Sequence, residues 1–316
     1  MSYADLHLHS TASDGTLSPT VLVREVARRG AAGLSLTDHD TMAGLEEAAS
    51  EAMRLGLAWL PGCEVSATEE GRSVHLLVYG MSRGTGILED LLVRICEDRQ
   101  NRARAIVTRF NELGVPLAWE AVAREAVGGV PTRAHVARAI VDAGLMPSIQ
   151  SVFNQYLGDE GPAYVEKMVV APATVFEAAH AAGGVVVLAH PGWSYTDEMI
   201  TGWAAQGLDG IEVMHPKNHG VRRDELSGLA YRLDLLSTGG SDWHGDGGGG
   251  MQPGTEKVPI EWMEAVASRS GCSLSPAENS SENPAENSSE NPTENSSENP
   301  SENPSENSSE NPTEIT

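Results

Sequence analysis

Cysteine is scarce in this 316-residue chain: Cys63, Cys96 and Cys272 stand far apart with no CxxC spacing. That excludes a disulfide framework and a thiolate zinc site, and it fits a reducing compartment. No uninterrupted apolar run approaches eighteen residues, and no basic region followed by an apolar stretch opens the chain, so neither a membrane span nor a signal peptide is expected. Cytoplasmic placement is the expectation. Positive charge is also in short supply, with 21 Lys and Arg against 45 Asp and Glu for a formal net charge of −24. Residues 274–316 hold ten Glu and no Lys or Arg, which leaves −24 + 10 = −14 for the rest. A body that acidic argues against duplex DNA, whose sequence-independent binding depends on cations that neutralise phosphates. Small anionic substrates stay open.

What is present is an alternation of short apolar runs with helical patterns. The runs LSLTDHD (34–40), LAWLPGCEVS (57–66), SVHLLVYG (73–80), GVVVLAHPG (184–192), GLDGIEVMHP (207–216) and LLSTGGSDWHG (235–245) read as strands of a parallel α/β sheet or barrel. Ser18 before Pro19 marks a helix start, Gly30 its end, and Gly56 the end of a helix that begins near Thr41. From Ile87 to about Val170 the rhythm turns helical, so residues 87–170 are expected to form a helical insertion between barrel segments 1–86 and 171–273. In residues 274–316 Glu recurs every fourth position among prolines and nothing apolar is available to bury, so a disordered tail is expected.

Polar residues gather where the apolar runs end, the place where parallel barrels build active sites. His7 and His9, in DLHLHSTASDG, are two apart and so share one face of a strand. Asp14 follows in the loop, and His39, Glu64, His75, His190, Asp242 and His244 come on later runs. Singly, each reads as well as a hydrogen-bonded structural residue or a solvated acid. Together, nine such groups at one barrel mouth would repel and desolvate one another without cations. Two or three divalent ions are expected, Mn²⁺ first and Fe²⁺ or Zn²⁺ as alternatives, because imidazole and carboxylate without thiolate suit those metals. Glu64 can bridge two of them. Asp5, Asp38 and Asp40 flank the ligands and read as partners that orient imidazoles or cap helices.

The blocks DLHLHSTASDG, SLTDHDT, GCEVS, VHLLVYG, AHPG and GSDWHG resemble, in order, the motifs of the PHP (polymerase and histidinol phosphatase) metal-dependent phosphoesterases, over residues 2–266. The subgroup most similar carries a helical insertion and includes 3′,5′-nucleotide bisphosphate phosphatases and 5′-to-3′ exoribonucleases. The resemblance implies a distorted (β/α)7 barrel and a trinuclear site. It assigns His7, His9, Glu64 and Asp242 to one ion, Asp14, His39 and His244 to a second, and Glu64, His75 and His190 to a third. It further implies substrate contacts from Arg133 and His135 in PTRAH, where Thr132 and Ala134 replace the subgroup's glycine and proline, and from Arg102 and His219. His215 has a weaker match, Lys217 reads equally as a surface lysine, and His180 is expected to have no role.

The expected activity is hydrolysis of a phosphomonoester in a small nucleotide such as a nucleoside 3′,5′-bisphosphate. A metal-bridging water, acidified toward roughly pH 7, is the expected nucleophile, with no protein nucleophile required. Short RNA cleaved 5′ to 3′ is the alternative substrate. An amidohydrolase would need a lysine at the end of a middle strand to bridge ions, which these strands lack. A noncatalytic PHP module would have no need of all nine ligands.

Overall fold

A computed structural model of the chain describes residues 2–82, 84, 86–126, 129–158, 160–245 and 252–274. Four strands open it: β1 (Tyr3–Asp5), β2 (Gly33–Leu36), β3 (Ala58–Glu69) and β4 (Arg72–Tyr79). Between them lie α1 (Pro19–Arg28) and α2 (Leu45–Arg54). The side chain of Ser18 accepts from Val21 N–H, with Pro19 in the first turn, so α1 starts where the sequence says. Helix α2 begins at Leu45 rather than Thr41, because residues 41–44 form a turn that leads away from the end of β2. Gly30 and Gly56 follow the two helices with φ of 86° and 69°, a region open to glycine without steric cost.

Strands β5 (Val185–Leu188), β6 (Gly210–Met214), β7 (Leu236–Gly239) and β8 (Val258–Pro259) complete a sheet in the order β7-β6-β5-β4-β3-β2-β1-β8. Closure comes from the segments beyond β1 and β7. Leu6 N–H donates to Gly239 O (3.1 Å), Asp242 N–H to His7 O (2.9 Å) and His9 N–H to Trp243 O (3.1 Å). The result is a nearly closed, distorted barrel of the expected class. Its distortion sits at β4, which runs antiparallel to both β3 and β5. Only the turn Glu70-Gly71, with φ of 48° and 78°, separates β3 from β4, and a connection that short can join only antiparallel strands. An eighth short strand, β8, lies antiparallel to β1.

Helices α7 (Pro172–Ala181), α8 (Asp197–Ala204), α9 (Val221–Arg232) and α10 (Ile260–Ser270) pack around the barrel. Helix α10 contacts β1, β4, β5 and β7, and its Met263, Val266 and Ala267 are buried with Leu6, Leu60 and Leu77. The expected insertion region is helical: α3 (Ile87–Glu112), α4 (Trp119–Glu125), α5 (Arg133–Asp142), α6 (Ile149–Val152) and a π-helical turn at Phe153–Leu157. The first half of α3 buries Leu88, Leu92 and Ile95 in the main core, whereas its second half buries Ile106 and Phe110 in a separate cluster with Val136, Ile140 and Leu157. All described residues belong to one compact unit. No described helix is long and apolar enough to cross a membrane. The tail expected to be disordered lies, beyond Leu274, outside the described residues.

Candidate metal centre

Leu6 and Leu8 are buried, and His7 and His9 alternate with them, their ring centres 5.1 Å apart and both fully buried. Glu64 Oε2 lies 3.2 Å from the Nε2 of each, and Asp242 Oδ1 lies 3.4 and 3.3 Å from the same two atoms. These four residues can present ligand atoms within 4.8 Å of one another. A second such group joins His9, Asp14, His39 and His244, with His244 Nε2 3.3 Å from Asp14 Oδ1. In a third, His39 and His75 meet Glu64, and His75 Nδ1 and His190 Nε2 face its Oε1 at 2.8 and 3.0 Å. Glu64 thus turns Oε1 to one side and Oε2, 3.1 Å from His39 Nδ1, to the other. All nine sequence-predicted ligands converge here, with His9 and His39 each standing in two groups rather than in one.

Local structure aims these side chains. Gly15 ends the turn that swings Asp14 back toward the strand, and a Cβ there would lie 2.3 Å from His9 O. The Ser10–Asp14 loop is held by Asp38, which accepts from Ser10 N–H (2.7 Å), Ser10 Oγ (2.7 Å) and Ser13 Oγ (2.6 Å). Asp5 accepts from Ser241 N–H (3.0 Å) and Gly254 N–H (2.6 Å), and so ties down the loop that carries Asp242. His190 and Asp242 have φ of 29° and 52°, a left-handed backbone that costs a non-glycine residue energy and turns these side chains inward. His75 is in the N-terminal half of β4, and the reversed direction of that strand brings it to the same rim as the C-terminal ends of its neighbours.

The donor set fits cations. Both ring nitrogens of His9, Nδ1 of His39, Nδ1 of His75 and Oδ1 of Asp14 are buried with no well-aligned hydrogen bond among the described residues, although His9 Nε2, His39 Nδ1 and His75 Nδ1 each lie 2.8–3.2 Å from an oxygen of Glu64. Such groups are costly to bury unless something else satisfies them. His244 Nδ1 is 2.9 Å from Asp242 O, a bond it makes as donor, which leaves the Nε2 lone pair facing the Asp14 carboxylate. A lone pair against a carboxylate oxygen is repulsive until a cation or a proton comes between them. Burial alone would raise the pKa of Glu64, yet His39, His7 and His75 hold it well below the usual carboxylate range. His9, which burial would push down, is raised to about 10 by Asp242 and Glu64. In chemical terms this is a nest of negative charge waiting for positive charge.

Two residues passed over in the sequence belong to it. Glu212, buried inside β6, places Oε1 2.9 Å from His7 Nδ1 and accepts His190 N–H at 2.5 Å on Oε2. His215, the histidine with the weaker match, brings Nε2 to 3.2 Å from Asp242 Oδ2 while its Nδ1 accepts Lys217 N–H at 2.9 Å. His219 is exposed in the loop after β6. His180 pairs with Asp209 at 2.7 Å.

Beside the centre, a cavity of about 200 Å³ is lined by Asp14, His39 and His75 and also by Arg99, Arg102, Arg133 and Lys167. Ile95, Phe153 and Met168 supply apolar surface between them. Burial, with Arg133 and Arg99 nearby, lowers Arg102 to about 10. Lys167, also desolvated and facing Arg102 and Arg99, falls to about 8. Arg99 is anchored by Asp40 (Nε to Oδ2, 2.5 Å) and Ser66 Oγ (2.7 Å). Arg102 and Arg133, expected to contact substrate, therefore share this cavity. His135 does not line it: its Nδ1 accepts Thr132 N–H (3.0 Å) at the start of α5, and it borders a neighbouring pocket with Ser13 and Arg138.

Residues 5–116 match the family model described as PHP domain. The chain is 35% identical over 245 residues to a 5′-3′ exoribonuclease of Haemophilus influenzae, covering 76% of this chain and 89% of that one. It is 34% identical over 269 residues to a 3′,5′-nucleoside bisphosphate phosphatase of Chromobacterium violaceum, covering 82% and 93%. A Bifidobacterium adolescentis structure, described as that of a metal-dependent phosphoesterase, superposes with a TM-score of 0.80 at 31% identity over 85% of this chain and 96% of that one.

Proposed function

The chain belongs to the PHP family and is a metal-dependent phosphoric ester hydrolase, and on that premise we propose that it removes a phosphate from a small nucleotide such as a nucleoside 3′,5′-bisphosphate. The ligands of its ions are His7, His9, Asp14, His39, Glu64, His75, His190, Asp242 and His244, with Glu64 shared between groups and Asp14 and His244 in a group with His9 and His39. Divalent cations bound there, Mn²⁺ foremost, supply Lewis acidity toward phosphoryl oxygens and lower the pKa of water.

The chain's own residues do the rest. Arg102, Arg133 and Lys167, together with Arg99, bind the phosphate that does not react and so fix the ester that does. Phe153 and Ile95 offer apolar surface to the nucleoside. Water oxygen bonds to phosphorus as the ester P–O bond breaks, and the departing oxygen ends with a proton. The observation that carries this reading is one small cavity lined both by four cationic side chains and by Asp14, His39 and His75 of the acid and imidazole nest, so that one phosphate of a bisphosphate can meet the cations while the other meets the centre.

Short RNA cleaved 5′ to 3′ is the second reading, favoured by the relatedness to the Haemophilus exoribonuclease. The test is phosphate release from a nucleoside 3′,5′-bisphosphate against mononucleotide release from a short 5′-phosphorylated RNA. Each is run with Mn²⁺ and again after chelation. Faster release from the bisphosphate, lost on chelation, is the expected result, and activity indifferent to chelation would refute it.

A further inference from the structure

Six tryptophans occur in the chain, and Trp193 is the one that is exposed, at 71%. It lies three residues beyond His190, at most about 11 Å along the backbone from a candidate ligand. An indole left in water at such a place calls for a reason, because its apolar area costs nothing to hide on a flexible loop and this loop is not flexible in construction. Ser194 N–H closes a turn onto Pro191 O (3.1 Å), and Gly192 N–H donates to the side chain of buried Asn218 (2.9 Å). Arg222, only 4% exposed, grips the carbonyls on both sides of Trp193: Nε donates to Gly192 O (2.6 Å) and Nη2 to Tyr195 O (3.0 Å). The same guanidinium lies 5.1 Å from the centre of the indole ring. One face of the ring is thus backed by a buried cation while the ring remains largely open to solvent.

The segment is also tied to the lining of the substrate cavity through Tyr195. Tyr195 Oη donates to Ser73 O (2.7 Å), and Ser73 Oγ accepts from Lys167 Nζ (2.9 Å), both Ser73 and Lys167 lining that cavity. On its other side it is tied through Asn218 to the loop bearing Lys217, whose Nζ is 3.7 Å from Asp242 Oδ2. A fixed aromatic plane beside a phosphoester centre, with a cation behind it and another nearby, has the chemistry of a base-stacking platform.

We propose that Trp193 stacks the base of a second nucleotide, the one joined through the scissile phosphodiester to the nucleotide held in the cavity. This deepens the short-RNA side of the proposed activity and rests on phosphoester hydrolysis at the adjoining centre. It makes the enzyme discriminate a substrate with a base at that position from one without.

The test measures kcat/KM with Mn²⁺ for the wild type, Trp193→Ala and Trp193→Phe on a 5′-phosphorylated diribonucleotide and on its counterpart lacking the second base. The loss on Trp193→Ala is expected to be roughly tenfold greater for the complete dinucleotide than for the abasic one, the scale of one base–aromatic stack. Trp193→Phe is expected to restore most of that difference. Equal losses on both substrates, as a structural role would give, overturn the proposal, and so does no loss on either. A change in sedimentation of Trp193→Ala without substrate discrimination also overturns it, and marks the indole as a contact between protein copies. A wild type that cleaves neither dinucleotide overturns the short-RNA reading and this proposal with it, whereas cleavage without discrimination overturns this proposal alone.

Discussion

Glu212 holds two candidate ligands at once, taking the ring N–H of His7 on one oxygen and the backbone N–H of His190 on the other. That arrangement fixes the His7 tautomer so that Nε2 offers a lone pair to the centre, the role a carboxylate plays behind a metal-bound imidazole. Glu212→Gln is expected to weaken metal binding about 10- to 100-fold with the fold intact, because an amide can accept one of these donors but presents N–H to the other. Competition against a coloured chelator reads the affinity, and an unchanged value would assign Glu212 to packing only. A second expectation concerns Lys167, lowered to about 8 by burial and by Arg102 and Arg99, with Asp40 opposing. Its charge is present below that pH and lost above it, so KM for a phosphate-bearing substrate should rise as pH increases through about 8. Lys167→Met should abolish that rise; a rise that persists in the variant places the titration elsewhere. The convergence of the nine candidate ligands could be read from the sequence because all but His75 lie at or just beyond the ends of apolar runs, whereas His75 lies inside its run. Glu212 could not, since GIEVM looks like an ordinary strand and only the three-dimensional pairing with His7 reveals its partner. Lys167 lies outside helix and strand, so no periodic pattern marks it.

At the scale of elements, the alternation of runs and helices gave the barrel, but it could not give the direction of β4, which is set by the two-residue connection Glu70-Gly71 rather than by any feature of the strand. The consequence is functional, since reversal is what places His75 at the rim. Helix α3 is the other decisive element. Its N-terminal half is buried in the barrel's core and its C-terminal half in the helical cluster, so Arg99 and Arg102, near its middle, are presented at the junction. Phe110 is fully buried in that cluster beside Tyr156, ring centres 5.1 Å apart. Phe110→Ala is expected to cost about 3–5 kcal/mol, the range for truncating a buried phenyl ring. All nine candidate ligands come from the barrel and its loops, whereas Arg102 and Arg133 come from helices of this segment. Metal stoichiometry should therefore survive the substitution while KM rises. Loss of metal along with stability would show that the helical segment holds the centre together as well as covering it.

The whole molecule is acidic, yet four of its 21 Lys and Arg line the same cavity as Asp14, His39 and His75 of the centre. Such a distribution favours a small doubly anionic ligand over a long polyanion, which would need basic surface along its length. It also makes the fold depend on what fills the centre. Asp14 and Glu64 are buried and Asp242 half-buried among histidines, and Asp14 Oδ1 and several imidazole nitrogens lack a hydrogen-bond partner among the described residues, so part of the folding free energy is spent holding like charges and lone pairs together. Cations that bind the folded chain and not the unfolded one return that energy by mass action, about 2.7 kcal/mol for each site at a hundred times its Kd. For a body of this size each kcal/mol is worth roughly 2–4 °C, so stripping even one ion should lower Tm by about 5–10 °C, and stripping several by more. Thermal unfolding with chelator, and then with Mn²⁺ restored in excess, measures the difference. Glu64→Gln is the control, since it removes the carboxylate whose two oxygens face both sides of the centre and should flatten most of the shift. A Tm indifferent to chelation in the wild type would mean that protons, not cations, neutralise the nest, and the assignment of the nine side chains as ligands would fall.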